Sequence, residues 1–162
     1  MAVVTNTGPL IMLAKIDQLT LLQQMFTTVF IPPAVHRELL AKSGPEVNRL
    51  DAALAQFIEI MPKPRLSSAV LTITGHLEAG EQQAIALAHA QKTTLVIDVR
   101  LGRLAARQLG IAVTGSAGIL IESKRRGYIP AVIPLLEAAR QHGYWLSDGL
   151  LAVAAKLTGE KL

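Results

Sequence analysis

The sequence predicts an α/β fold with a central, mainly parallel sheet and helices on both faces. Two observations carry this. Short β-branched runs alternate with longer segments of helical apolar spacing along the whole chain, the pattern of strands joined by crossover helices. Two of those runs also end in a polar residue, Asn6 and Asp98, and the carboxyl ends of strands are where open α/β sheets bind ligands.

Taken in order, Ala2-Val3-Val4 gives a first strand, Val3–Thr5, that stops on Thr5-Asn6-Thr7-Gly8-Pro9 before a helix over Pro9–Lys15. Further strands are expected at Thr28–Ile31, Ile58–Met61, Leu95–Asp98 and Ala112–Thr114. Helical spacing marks Leu19–Met25, Pro33–Ala41, Glu46–Gln56, Gly80–Gln91 and Arg100–Leu109, then Ala117–Arg126, Ala131–His142 and Asp148–Lys156. Pro32-Pro33 presets φ for a helix start. Gly44-Pro45 and Gly127 punctuate turns. Pro62-Lys63-Pro64-Arg65 opens the one long irregular stretch, to about Gly75. No internal repeat or low-complexity tract interrupts the pattern.

Composition narrows the classes of function. A chain of 162 residues reads as one domain with a sizeable core. Hydrophobic residues make up 51% of it, yet no apolar run approaches the ~18 residues of a membrane span, and no signal-peptide pattern opens it. With no cysteine, disulfide scaffolds and thiolate zinc sites are excluded and a reducing cytoplasm fits. Aromatics at 4% argue against a base-stacking platform. A net charge of +4 mildly favours a polyanionic partner.

With only 12 acidic residues, the placing of each matters. Asp98 closes Leu95-Val96-Ile97-Asp98 and reads either as a site residue or as the N-cap of the helix near Arg100. Glu81 shares a helix face with Ile85 and Ala88, so its carboxylate tops a core-facing stripe, although a first-turn acid also suits the helix dipole. Gly80 beside it permits close backbone approach. Glu38 borders Ala34 and Val35, and is otherwise a solvated surface acid. Glu78, Glu122, Glu137 and Asp148 look blander. Acids converging at one sheet edge repel each other and need a cation. Hard oxygen donors without a thiol select Mg²⁺ or Mn²⁺, which can stabilise phosphoryl oxygens.

VVTNTGPLI, IPPAVHREL, LEAGEQQAIALA, LVIDVRLGR and VTGSAG, in this order and spacing, resemble the PIN-domain superfamily, in a small prokaryotic branch related to the VapC-type toxins. The tail RGYIPAVIPLLEAARQHGYWLSDGLL resembles that branch's C-terminal extension. The resemblance implies a three-layer α/β/α sandwich, with residues 1–162 one PIN-like domain and 128–162 a helical extension. It implies Mg²⁺- or Mn²⁺-dependent cleavage of RNA by a quartet of acids. Asn6 falls where the first Asp usually stands, and Glu38, Glu81 and Asp98 match the other three. Glu38, Glu81 and Asp98 are thus the candidate catalytic residues, and all four the candidate metal ligands. Thr7, Thr114 and Ser116 match supporting polar positions. Gly8 stands where Ser or Thr is frequent, so a hydroxyl is missing beside a missing charge.

Arg100, Arg103 and Arg107 share a helix face just after Asp98, and Lys124-Arg125-Arg126 ends another helix. Both groups are candidate phosphate contacts, or solvated faces with favourable charge at a helix C-terminus. His36, His76, His89 and His142 have no metal-ligand spacing, and there is no HExxH, GxGxxG or Walker loop. Gly115-Ser116-Ala117-Gly118 before a helix reads as a cap or a single-anion site.

Three functions are therefore weighed. The first is a metal-dependent ribonuclease, the toxin of a toxin–antitoxin pair. The second is a catalytically weak or inactive PIN-fold module that binds RNA or protein, which the changes at Asn6 and Gly8 favour. The third is a phosphoacceptor domain using Asp98, for which Thr5-Asn6 supplies no paired acids. RNA, a second copy of the chain and a small antitoxin are the expected partners, with contacts near Leu19–Met25 and Leu135–Ala139. Relief of acid repulsion predicts that Asp98→Asn stabilises the metal-free fold.

Overall fold

A computed structural model describes residues 1–162. The elements run β1 (Ala2–Thr5), α1 (Thr7–Lys15), α2 (Thr20–Met25), β2 (Thr28–Ile31), α3 (Pro33–Leu40), α4 (Val47–Gln56), β3 (Ile58–Ile60) and α5 (Ser68–Thr74). They continue through α6 (Ala79–Gln91), β4 (Thr94–Val96), α7 (Arg100–Gln108), β5 (Val113–Thr114), α8 (Ser116–Arg125), α9 (Ile133–Gln141) and α10 (Asp148–Thr158).

All strand pairs are parallel, in the order β3-β2-β1-β4-β5. Val4 of β1 sits between Phe30 and Leu95. A central parallel strand is buried on both faces, so β1 reads as a continuous apolar run rather than an alternation: Val3, Val4 and Thr5 are fully buried. Helix α6 packs on β1 and β4, with α3, α5 and α7 against it, while α1 meets α4, α8 and α9. The result is the three-layer α/β/α architecture. Strand order reverses between β1 and β4. Right-handed crossovers on the two sides of that reversal diverge and leave a crevice at the carboxyl ends of the two strands.

Forty buried apolar residues, from Val3 to Ala155, form one core cluster. Leu136, Ala139, Leu151 and Ala154 belong to it, so α9 and α10 share the core of the sheet layers. The stretch from Pro62 to Gly75, expected to be irregular, contains α5. Its N-cap Ser67 accepts from Val70 N–H at 3.2 Å, and Val70 and Thr74 are buried. A seven-residue helix of about two turns leaves little periodic signal. The expected contact helices are also mostly committed inward, since Leu19, Leu21, Leu22, Leu136 and Ala139 are buried. The exposed large apolar residues lie elsewhere and include Leu101 and Leu104 on α7, Val153 and Leu157 on α10, and Trp145. No helix is long and apolar enough to cross a membrane.

Candidate active site

Asn6 follows β1 and is the N-cap residue of α1. It does not cap with its side chain. Its backbone N–H donates to Val96 O at 2.9 Å, which ties it to the end of β4. The side chain is buried, 5% exposed, and is free to face the crevice. Gly80, in the first turn of α6, closes the floor. A Cβ there would collide with Glu38 Oε1 and lie 3.8 Å from Asn6 Oδ1, so only glycine lets the Glu38 carboxylate approach the α6 backbone. Asn6, Thr7, Gly8, Glu38, Glu78 and Glu81 line one cavity of about 370 Å³. Lys15, Lys42, Gly143 and Tyr144 also line it.

Burial, reinforced by the charges of Glu78 and then Glu38, pushes the Glu81 carboxyl above the usual carboxylate range. Thr7 Oγ1 is buried with no hydrogen-bond partner. An amide oxygen, two carboxylates, an unpartnered hydroxyl and a destabilised acid are a donor set that fits a small hard cation. No three of the chain's Asp, Glu and His side chains are gathered closely enough to hold a metal as they stand.

Asp98 is engaged elsewhere. It does not cap α7, whose N-cap is Val99 without a side-chain bond. Instead it reaches across to α8: Ser116 N–H donates to Oδ1 at 2.7 Å and Ser116 Oγ–H to Oδ2 at 2.8 Å. Asp98 thus caps the helix after β5, and Ser116 is the residue that orients it. Tyr144, from the α9–α10 connection, donates its hydroxyl to Asp98 Oδ2 at 2.6 Å. Burial first and the Asp98 charge second push this phenol above its ordinary value, so it remains a donor. Asp98 is absent from the cavity lining, and Tyr144 is part of it.

The remaining candidates divide by distance along the fold. Thr114 Oγ1 bonds locally, to Gly115 O, and packs on Gly118. Arg103 is half-buried beside Asp98. Its Nη1 donates to Ile97 O at 3.2 Å, and a Cβ on Gly115 would lie 2.7 Å from Asp98 Oδ1 and 2.8 Å from that nitrogen. Arg100 and Arg107 are exposed on α7. Lys124, Arg125 and Arg126 lie at the far end of α8 from Asp98, about 13 Å along the axis, and are engaged with Glu160 or Glu122. The structure does not bring them to the cavity. Sequence reasoning missed Tyr144, Lys15, Lys42 and Glu78 as cavity residues. Only Glu78, next to the Gly80-Glu81 turn, carried a local signal.

The amino-acid sequence matches a family model described as PIN domain over residues 2–160. No individual curated protein matches it. PIN domains have a nuclease-type fold, generally bind RNA and typically use divalent metals. With the match covering nearly all of its length, the chain belongs to the PIN-domain family.

Proposed function

We propose that the protein is a Mg²⁺- or Mn²⁺-dependent endoribonuclease, acting as the toxin of a toxin–antitoxin pair. The observation that carries this is the meeting of Asn6, Glu38 and Glu81 in one cavity at the β1–β4 switch point, with Asp98 one hydrogen bond behind it. Asn6, Glu38, Glu81 and Asp98 would hold the ion. A bound divalent ion supplies positive charge against which a phosphodiester's oxygens are stabilised. Lys42, with Lys15 beside it paired to Glu46, lines the same cavity and would attract the RNA backbone without reading its sequence. Arg103, and the exposed Arg100 and Arg107 on the same helix, extend that positive surface. Thr7, Thr114 and Ser116 support the site. The toxin role, a homodimer and a small antitoxin partner rest on the resemblance to VapC-type proteins.

The test is RNA cleavage with and without EDTA, paired with Mn²⁺ binding by calorimetry. Metal-dependent cleavage supports the reading, and binding of neither metal nor RNA overturns it. A pull-down from the native cell that yields no small partner counts against the toxin role. A second reading, an inactive PIN-fold module that binds RNA or protein, is favoured by one observation: Asp98 is covered and no three acids are gathered. RNA binding without cleavage at saturating Mn²⁺ would select it.

A further inference from the structure

Ser116 alone grips both oxygens of Asp98, so the orientation of that carboxylate does not need Tyr144. A carboxylate oxygen offers two acceptor positions. On Oδ2 one is filled by Ser116 Oγ and the other by Tyr144 Oη. The phenol therefore takes the acceptor position that Oδ2 would otherwise offer to the cavity, and it stands between the carboxylate and that cavity.

Two features make room for it. Gly8 has no side chain, and a Cβ there would lie 3.1 Å from Tyr144 Oη. The hydroxyl missing at position 8 is thus replaced by one delivered from the C-terminal segment. Gly143, which also lines the cavity, has φ of +90°, so the chain turns into the site at a residue suited to re-aiming it. On the other side of Tyr144 stands Trp145, 82% exposed, before Leu146 returns the chain to the core.

We propose that Tyr144 is a latch on the site. In the resting protein the phenol holds Asp98 Oδ2 and screens it from the cavity. Asn6, Glu38 and Glu81 would hold a divalent cation that competes for Asp98 Oδ2, and the Tyr144 side chain would rotate off that oxygen while its backbone stays bonded to Ala139. The inference rests on the cation site of the ribonuclease reading. It adds that loading this site is coupled to movement of the Tyr144 side chain in the α9–α10 connection.

The experiment compares metal-free wild type, Tyr144→Phe and Gly8→Ala. Mn²⁺ binding is read by calorimetry, and the emission of the single tryptophan, Trp145, is followed during Mg²⁺ titration. Removing a hydrogen bond to a charged acceptor should tighten Mn²⁺ binding about tenfold in Tyr144→Phe. Gly8→Ala keeps the hydroxyl but presses on it, so that its bond to Asp98 lengthens, and should also bind tighter, by less than Tyr144→Phe. Mg²⁺ should shift Trp145 emission in wild type, while metal-free Tyr144→Phe should already resemble the loaded protein. Wild type that binds and cleaves while Tyr144→Phe binds no tighter overturns the latch alone. Absence of binding in all three proteins overturns the latch together with the ribonuclease reading. If Tyr144→Phe does not melt cooperatively, Gly8→Ala decides by the same criterion.

Discussion

Asn6→Asp restores the charge that the family pattern leads one to expect. Asn6 is almost fully buried, makes no side-chain capping bond, and presents Oδ1 to the same glycine floor that receives Glu38. A new carboxylate there meets two others. At roughly 6 Å and an effective dielectric of about 20, each like-charge pair costs about 3 kcal/mol. Part of this is relieved, because burial and neighbouring charge already raise the Glu81 carboxyl, which makes protonation there less costly than for a free carboxylate. A net loss of about 2 kcal/mol in the metal-free protein corresponds to roughly 4–8 °C in Tm for a chain of this size. Metal reverses the sign. An ion at a hundredfold over its Kd adds about 2.7 kcal/mol, and the variant should have the lower Kd. The assay is thermal melting across a Mn²⁺ series starting in EDTA, with RNA cleavage measured in parallel. The variant should melt below wild type without metal, gain more with Mn²⁺ and cleave faster. Unchanged metal response and cleavage would refute Asn6 as a ligand position.

The other expectations follow from single contacts. Asp98→Asn turns one acceptor oxygen into an amide donor facing Ser116 or Tyr144, and should destabilise the metal-free protein by about 2 kcal/mol in denaturant unfolding. This reverses the stabilisation expected from acid repulsion alone. Gly80→Ala must push the end of the Glu38 side chain aside. Since alanine favours the helix, Tm in EDTA should hold or rise while Mn²⁺ affinity falls at least severalfold by calorimetry. Glu160 accepts from Val132 and Ile133 N–H and from Lys124 Nζ. Burial raises its carboxyl, but those donors outweigh burial and hold it at about 2, against an ordinary 4.5. Its folded value is depressed, so its contribution is complete above about pH 4.5 and is lost as pH falls toward 2. Discounted for solvent screening, that is about 1 kcal/mol. Glu160→Gln should cost this at pH 7 and much less near pH 2, read as Tm against pH.

What the sequence made legible was whatever depends on local period. The central strands β1 and β4 were visible because buried parallel strands are apolar runs, and the flanking three because they are short and rich in β-branched residues. The placement of Asn6 and Asp98 at the strand ends followed from those runs. Boundaries drifted where the signal was tertiary: the fourth strand ends at Val96, so Ile97 and Asp98 extend beyond it toward α8. Glu81 was legible because an acid topped an apolar helical stripe. Tyr144 was not, because nothing in His142-Gly143-Tyr144-Trp145 indicates that this connection crosses to strand ends formed well over a hundred residues earlier in the chain at Asn6. Nor could spacing show that Asp98 caps α8 rather than α7. That choice is made by Ser116 after β5.

The strand order has a consequence for synthesis. β1 is made before the other four strands and is the one that must lie in the middle of the sheet, with β2 on one side and β4 on the other. Translation at about 5–20 residues per second leaves roughly 5–20 s between β1 and β4. Through that interval Val3-Val4-Thr5 has at most one neighbour, and an open apolar edge is free to recruit a foreign strand. The pocket is assembled later still. Asn6 waits for Asp98, Asp98 for Ser116, and Ser116 for Tyr144, so the cavity is not complete until the α9–α10 connection has been made. Half-made copies would present that open edge to chaperones well before the cavity exists.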